Sequence, residues 1–209
     1  MKRWMNYEEY LMSGEWHIHT NYTDGKNSVH QYCKKAAKLG LSLVAFTEHV
    51  RRDLTYNFDN FTKEVESARK EYNDLIILTG CEAKVLEGGR LDVSQNVTKK
   101  CDIVLMSFHS FPNSKRKYIT ALNEALRNPR VDIWAHPSRS PNRTRTNQSN
   151  LTLSDEEFII AMDLAKKNDV LIEINKKYKV PPQPLVKAAE KRGVKFVRGS
   201  DVHSLRELR

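Results

Sequence analysis

No stretch of this sequence stays apolar for the roughly 18 to 20 residues that a membrane-spanning helix needs. Low-complexity tracts, linkers and internal repeats are also missing, so the 209 residues are expected to share one sizeable core. Cysteine is scarce: the three thiols, at 33, 81 and 101, form no close pair and leave one over. That suits a reducing cytoplasm better than a disulfide scaffold. The first ten residues carry Glu8 and Glu9 where a secretory signal would be apolar. No Gly-x-Gly-x-x-Gly phosphate loop is present, nor is a Ser-His-Asp or Cys-His nucleophile arrangement evident. What remains is ordinary for a folded chain without a membrane role, 39% apolar and 29% charged. Lysine and arginine outnumber the acids 35 to 26, and the net charge of +9 favours anionic partners.

The hydrophobic periodicity alternates between two kinds. Residues 1–14 read as a short amphipathic helix or arm that docks through Trp4, Tyr7, Leu11 and Met12, and residues 15–209 as one domain. Strands are expected at 15–20, 42–49, 74–85, 101–110, 131–136, 170–175 and 195–203. Helices are expected at 29–39 after Ser28, at 60–72, 115–128 and 154–168, the last opening on the capping box Ser154-Asp-Glu-Glu157, with a loop and helix over 181–192. Seven strands separated by crossovers predict a parallel α/β sheet, closed or nearly closed into a barrel whose working face lies at the strand C-terminal ends. A doubly wound open sheet is the alternative.

Those strand ends hold the chemistry. Six of the seven histidines lie there, at 17, 19, 49, 109, 136 and 203, and only His30 falls inside a helix. Carboxylates join them at Glu48, Glu82 and Asp201, and Asp24 follows His19 in an Asp-Gly turn that can fold back. Strand alternation puts His17 and His19 on one face with Trp16 and Ile18 on the other, and lets Asp201 share a face with His203. Glu48 and His49 face apart, so one points inward; an inward Glu82 makes Cys81 a helix-facing thiol. Each histidine alone is most simply a satisfied core residue, but packing does not place six of them at equivalent positions. The nitrogen and oxygen donors exceed the four to six that one ion takes, so two or three ions are expected, with Glu82 as the bridge.

The ordered set His17-x-His19-Thr-x-x-Thr-Asp24-Gly, Thr47-Glu48-His49, Gly80-Cys-Glu82, Ser107-x-His109-Ser, His136-Pro137 and Asp201-x-His203-Ser resembles the PHP (polymerase and histidinol phosphatase) superfamily from about residue 14 to 205. The segment from Glu82 to Asp92, His136-Pro-Ser-Arg139 and Glu173-Ile-Asn175 resemble the branch found in bacterial family X DNA polymerases and stand-alone phosphatases. The resemblance implies a distorted seven-stranded (β/α)7 barrel with a trinuclear site of zinc, manganese or iron. It assigns His17, His19, Glu82 and Asp201 to one ion, Glu82, His109 and His136 to the second, and Asp24, His49 and His203 to the third. Two features depart from it: Asp24 stands where some relatives have histidine, and Lys176-Lys177 is unusually basic. A short tail after His203 also implies a reduced closing helix.

The expected activity is phosphate-ester hydrolysis through a metal-bridging hydroxide, with Glu82 and Asp201 essential and Arg139 as a phosphate clamp. Basic residues after the strand ends, at 115–117, 139, 143, 145 and 176–179, allow a nucleic-acid end as substrate. A histidinol-phosphatase-like enzyme is the alternative within the class. Outside it stand a non-catalytic PHP docking module and an amidohydrolase-type barrel, for which Lys84 is the candidate strand-end lysine.

Overall fold

The computed structural model describes residues 2–137 and 151–209. Seven strands, β1 (Glu15–Ile18), β2 (Leu43–Val50), β3 (Ile76–Lys84), β4 (Ile103–Ser107), β5 (Ile133–Trp134), β6 (Leu171–Asn175) and β7 (Phe196–Gly199), pair in chain order and all in parallel. Among the described residues six α-helices cover their outer face: α1 (Val29–Lys38), α2 (Phe58–Glu71), α3 (Gln95–Lys100), α4 (Lys115–Leu126), α5 (Asp155–Lys167) and α6 (Gln183–Glu190). Beyond β7 the chain closes the ring by a single parallel bridge, Ile18 to Val202, in which His19 N donates to Val202 O and Val202 N to His17 O. The fold is the distorted, nearly closed α/β barrel expected.

Each helix forms for a local reason. Ser28 caps α1 with a reciprocal Gln31 bond, and the buried residues Val29, Tyr32, Cys33 and Ala36 follow the helical period against the sheet. Gly40 then ends the helix at φ 68°. The capping box at Ser154 and Glu157 opens α5 as expected. The six-residue α3, capped by Ser94, escaped the sequence reading because Val97 is its one large apolar residue. Asn57 caps α2, which starts at Phe58, two residues before the expected start.

Alternation along the strands makes two cores. One residue set, including Leu43, Ala45, Leu78, Leu105, Ile133, Leu171 and Val197, fills the barrel interior together with Trp4, Leu11 and Trp16. The other packs against the helices in two clusters, Val44, Phe46, Cys81 and Val104 against α1 and α2, and Met106, Trp134, Ile172 and Phe196 against α4, α5 and α6. The 3-10 helix Arg3–Tyr10 forms the N-terminal arm, and its Trp4 is 1% exposed. Polar side chains replace apolar ones only where the interior reaches the upper, C-terminal end of the strands.

Six of the seven strands are shorter than expected, and β1, β4, β5 and β7 lose two or more residues at the upper end. β4 stops at Ser107, β5 is two residues long, and β7 ends at Gly199, so His109, His136, Asp201 and His203 lie just beyond regular structure. The pairing of Asp201 with His203 therefore comes from a left-handed turn at Asp201 (φ 50°) followed by the Val202 bridge, rather than from strand alternation. β1 departs too. Its register slips between Glu15 and Ile18, so Trp16 packs in the barrel interior whereas Ile18 packs against the helices; they do not share a face.

Candidate metal centre

Nine side chains from six of the seven strand ends, all but that of β6, converge at the top of the barrel. Glu82, on β3, is fully buried at their centre. Its Oε2 stands 2.8 Å from His49 Nδ1, 3.6 Å from His19 Nε2 and 3.7 Å from His17 Nε2. Its Oε1 lies on the other side, 2.8 Å from His136 Nε2 and 3.4 Å from His109 Nε2. Asp201 Oδ1 approaches His19 Nε2 at 3.3 Å and His17 Nε2 at 3.6 Å, and those two ring nitrogens face each other at 3.0 Å. Such edges are close to the roughly 3.3 Å between donors tetrahedrally placed about 2 Å from one zinc ion. Asp24 Oδ2 lies 3.5 Å from His49 Nε2 and 3.2 Å from His203 Nε2, while His203 Nδ1 stands 2.8 Å from the Asp201 carbonyl oxygen.

The donors satisfy one another poorly. His49 Nδ1 and Glu82 Oε2 are both buried and neither has an aligned hydrogen-bond partner, although they stand close. Two facing imidazole nitrogens beside carboxylate oxygens leave lone pairs that a divalent cation would satisfy, so the donor set fits such ions. Three subsets bring ligand atoms within 4.8 Å of one another: His17, His19 and Asp201; His19, Asp24, His49 and His203; and His49, Glu82 and His109. His136 joins through its contact with Glu82.

The charges are strongly coupled. Burial would raise Glu82, but His109 and His17 hold it well below the usual carboxylate range. Burial would likewise lower His17, yet the Glu173 and Glu82 carboxylates carry it well above the usual range. His49 follows the same pattern: burial opposes protonation, and Asp24 and Glu82 push it up to about 10. His19 goes the other way, pulled down to about 3 by burial. Hydrogen bonds from His203 and His49 hold Asp24 well below its ordinary value.

Of the adjacent pair on β2, His49 points into the centre. Glu48 turns away, accepting from Thr20 N at 2.8 Å and from the Thr23 hydroxyl, and so pins the loop that carries Asp24. Cys81 packs on the helix side as expected. His30 is remote, paired with Glu71 at 2.8 Å. Arg139, Arg143 and Arg145 lie outside the described residues. The sequence reading assigned no role to Glu173, whose Oε1 is 2.7 Å from His17 Nδ1, or to Asn175, which donates to Glu173 Oε2 at 3.2 Å. Their signal is a pair of polar residues alternating at the end of an apolar strand.

The sequence profile of the PHP domain matches residues 15–177, most of the chain. This protein belongs to the PHP family. Asp201 and His203 lie past the matched span and reach the centre through the closing bridge. Among relatives, the chain is 29% identical over 207 residues to the DNA polymerase/3′-5′ exonuclease PolX of Bacillus subtilis, covering 94% of this chain but only 35% of that polymerase. It is 30% identical over 183 residues to a protein named as a probable phosphatase in Clostridium novyi, covering 81% of this chain and 70% of the relative. In fold it is similar to the histidinol phosphate phosphatase of Lactococcus lactis, a structure with zinc, L-histidinol and phosphate. That likeness has a TM-score of 0.66 at 16% identity and covers 92% of this chain and 87% of that one. The PHP membership accounts for the barrel and for the order in which the polar strand ends occur.

Proposed function

We propose that the chain is a PHP-type metal-dependent phosphoesterase. The observation that carries this reading is the Glu82 carboxylate, one oxygen among His17, His19 and His49 and the other beside His109 and His136. His17, His19, Glu82 and Asp201 would hold one ion, Glu82, His109 and His136 a second, and Asp24, His49 and His203 a third. Divalent ions held there supply the charge that polarises a phosphoryl group and makes water a competent nucleophile near neutral pH. The chain's own part is to keep Glu82, Asp201 and Asp24 ionised and to hold Glu82 and Asp201 away from bulk water. Lys177 adds a cation against Asp201 and His203. Its ammonium donates to the Asp201 carbonyl at 2.9 Å and stands 3.4 Å from the Asp201 carboxylate, where a substrate phosphate would compete for it.

The test is elemental analysis of the purified chain, then assay with zinc, manganese or iron restored singly, against a phosphate monoester, histidinol phosphate, a phosphodiester and an end-labelled oligonucleotide. Two or more equivalents of metal and metal-dependent hydrolysis are expected; less than one equivalent after reconstitution overturns the proposal.

The rim bears on the substrate. Lys115 is ion-paired with Glu157 at 2.8 Å and Lys117 with Glu87 at 2.6 Å, so two of the three cations of this cluster are neutralised locally. Among the described residues Lys177 is the one lysine or arginine whose side chain contacts Asp201 and His203, and a single such contact favours a small phosphate monoester, with nucleic-acid ends as the second reading. For an oligonucleotide gripped by several cations, activity falls steeply with salt, and neutralising Lys176 and Lys177 together flattens that dependence. A salt response no steeper than that of the monoester excludes the nucleic-acid reading.

A further inference from the structure

Glu173 lies on β6, away from the open face of the centre, buried to 1% exposure, and no donor of the proposed ion sites falls within its reach except through a ring. Its Oε1 takes the Nδ1 side of His17 at 2.7 Å, the opposite side of the imidazole from Nε2, which faces His19, Glu82 and Asp201. Its Oε2 accepts from the backbone N–H of His136 and from Asn175 Nδ2 at 3.2 Å. His136 has a positive φ of 32°, uncommon for a residue other than glycine, and the Glu173 bond ties down that residue's own amide. One carboxylate thus fixes a ring on β1 and a backbone after β5, which belong to two different proposed ion sites.

The neighbouring strand makes room for it. Gly199 of β7 faces this carboxylate, and a Cβ at that position would overlap Glu173 Oε1. The backbone there is not left-handed, so the requirement for glycine is steric: the volume is already taken by the glutamate. Asn175 completes the clamp, because its Oδ1 accepts from Tyr178 N at 3.0 Å and this fixes which way its amide nitrogen points.

We infer that Glu173, seated against Gly199, is a positioning residue that sets the ligating nitrogen of His17 and the placement of His136, coupling two ion sites without ligating either. A carboxylate on the far nitrogen of a ligating imidazole holds the proton on Nδ1, leaves Nε2 for the metal and raises its basicity. The inference rests on the metal-dependent reading above.

Two variants test it from opposite sides. Glu173→Gln keeps the volume but has one carbonyl oxygen where the carboxylate accepts from three donors, so its NH2 group must face either His17 Nδ1–H or the His136 N–H and the Asn175 amide. Gly199→Ala leaves Glu173 in the sequence and displaces it. Zinc affinity by chelator competition is expected to weaken about ten- to a hundredfold in both, with far-ultraviolet circular dichroism unchanged. In histidine-labelled protein, the hydrogen-bonded Nδ1 proton of His17 is expected downfield in the wild type with or without zinc, and lost or shifted in Gly199→Ala. Wild-type zinc affinity in both variants, or an unmoved ring proton, overturns the positioning role. If the wild type itself takes up no zinc, the phosphoesterase reading fails, and the ring proton still decides what Glu173 does to His17.

Discussion

Glu82 shows how one residue sets a centre. Leu78, Gly80 and Glu82 alternate along the inner face of β3, so the carboxylate emerges where the apolar interior ends. Burial alone would neutralise it; surrounding imidazoles keep it charged. Glu82→Ala, and likewise Asp201→Ala, is expected to lower metal-restored turnover by more than about a hundredfold, since a lost ligand costs more than a lost orienting partner. His30→Ala, on α1 and paired with Glu71, should stay within about twofold of wild type in the same assay, a surface change of small consequence. Near-normal turnover of Glu82→Ala at saturating metal removes it from the bridging position. His49 makes a pH prediction. Its folded value of about 10 lies above the ordinary 6.5, so in the metal-free chain it is protonated at pH 7. Its contribution to stability is full below about 6.5 and is lost as pH rises through about 10. A ligating ring must be neutral, so zinc uptake at pH 7 expels this proton and apparent affinity climbs between pH 6 and 8. Calorimetry in buffers of different ionisation enthalpy should read at least one proton released per chain; none released argues against His49 as a ligand.

At the scale of elements, the lower end of the barrel is closed by the N-terminal arm. Trp4 packs among interior residues of the strands and donates to the Asp169 carbonyl at 3.1 Å, and the Lys195 ammonium lies 5.1 Å from its ring centre. Trp4→Ala is expected to cost about 3–5 kcal/mol and to lower Tm by about 10 °C. KM at a temperature where the variant remains folded should not change, because the arm sits at the opposite end from the ligands. A thermal melt with a parallel assay checks both. At the seam the ladder gives way to one bridge and a buried cluster: Glu15 accepts from Ser200 N at 2.7 Å and from its hydroxyl at 2.9 Å, with Arg198 3.7 Å away. That cluster ends β7 and starts the turn that delivers Asp201 and His203.

For the molecule as a whole, the top of the barrel is a place where folding gathers charges that repel or orphan one another, and bound ions would relieve it. Ligands that bind only the folded chain stabilise it by mass action. Zinc at about a hundred times its dissociation constant should add about 2.7 kcal/mol and raise Tm by about 5–10 °C for a chain of this size. Differential scanning fluorimetry with and without a chelator reads this directly; an unchanged Tm counts against the metal centre. No helix among the described residues is long and apolar enough to cross a membrane.

What the sequence by itself determined is the order of the strands and of every helix but α3, the parallel barrel and the recurrence of His, Glu and Asp at strand ends. Hydrophobic period, helix caps and strand-end polarity are local properties that one chain records. It also located Cys81 on the helix side, because alternation across β3 leaves no other place once Glu82 points inward. Only the tertiary structure decided how β1 slips register, so that Trp16 and Ile18 part company, and where β4, β5 and β7 stop. Those endings depend on partners far along the chain, Ser200 on Glu15 and Val202 on Ile18, whose approach no local period encodes. Glu173 is the clearest case: its sequence context marks a polar strand end, but its hold on His17, 156 residues away, exists only because β6, β7 and β1 come together at the seam.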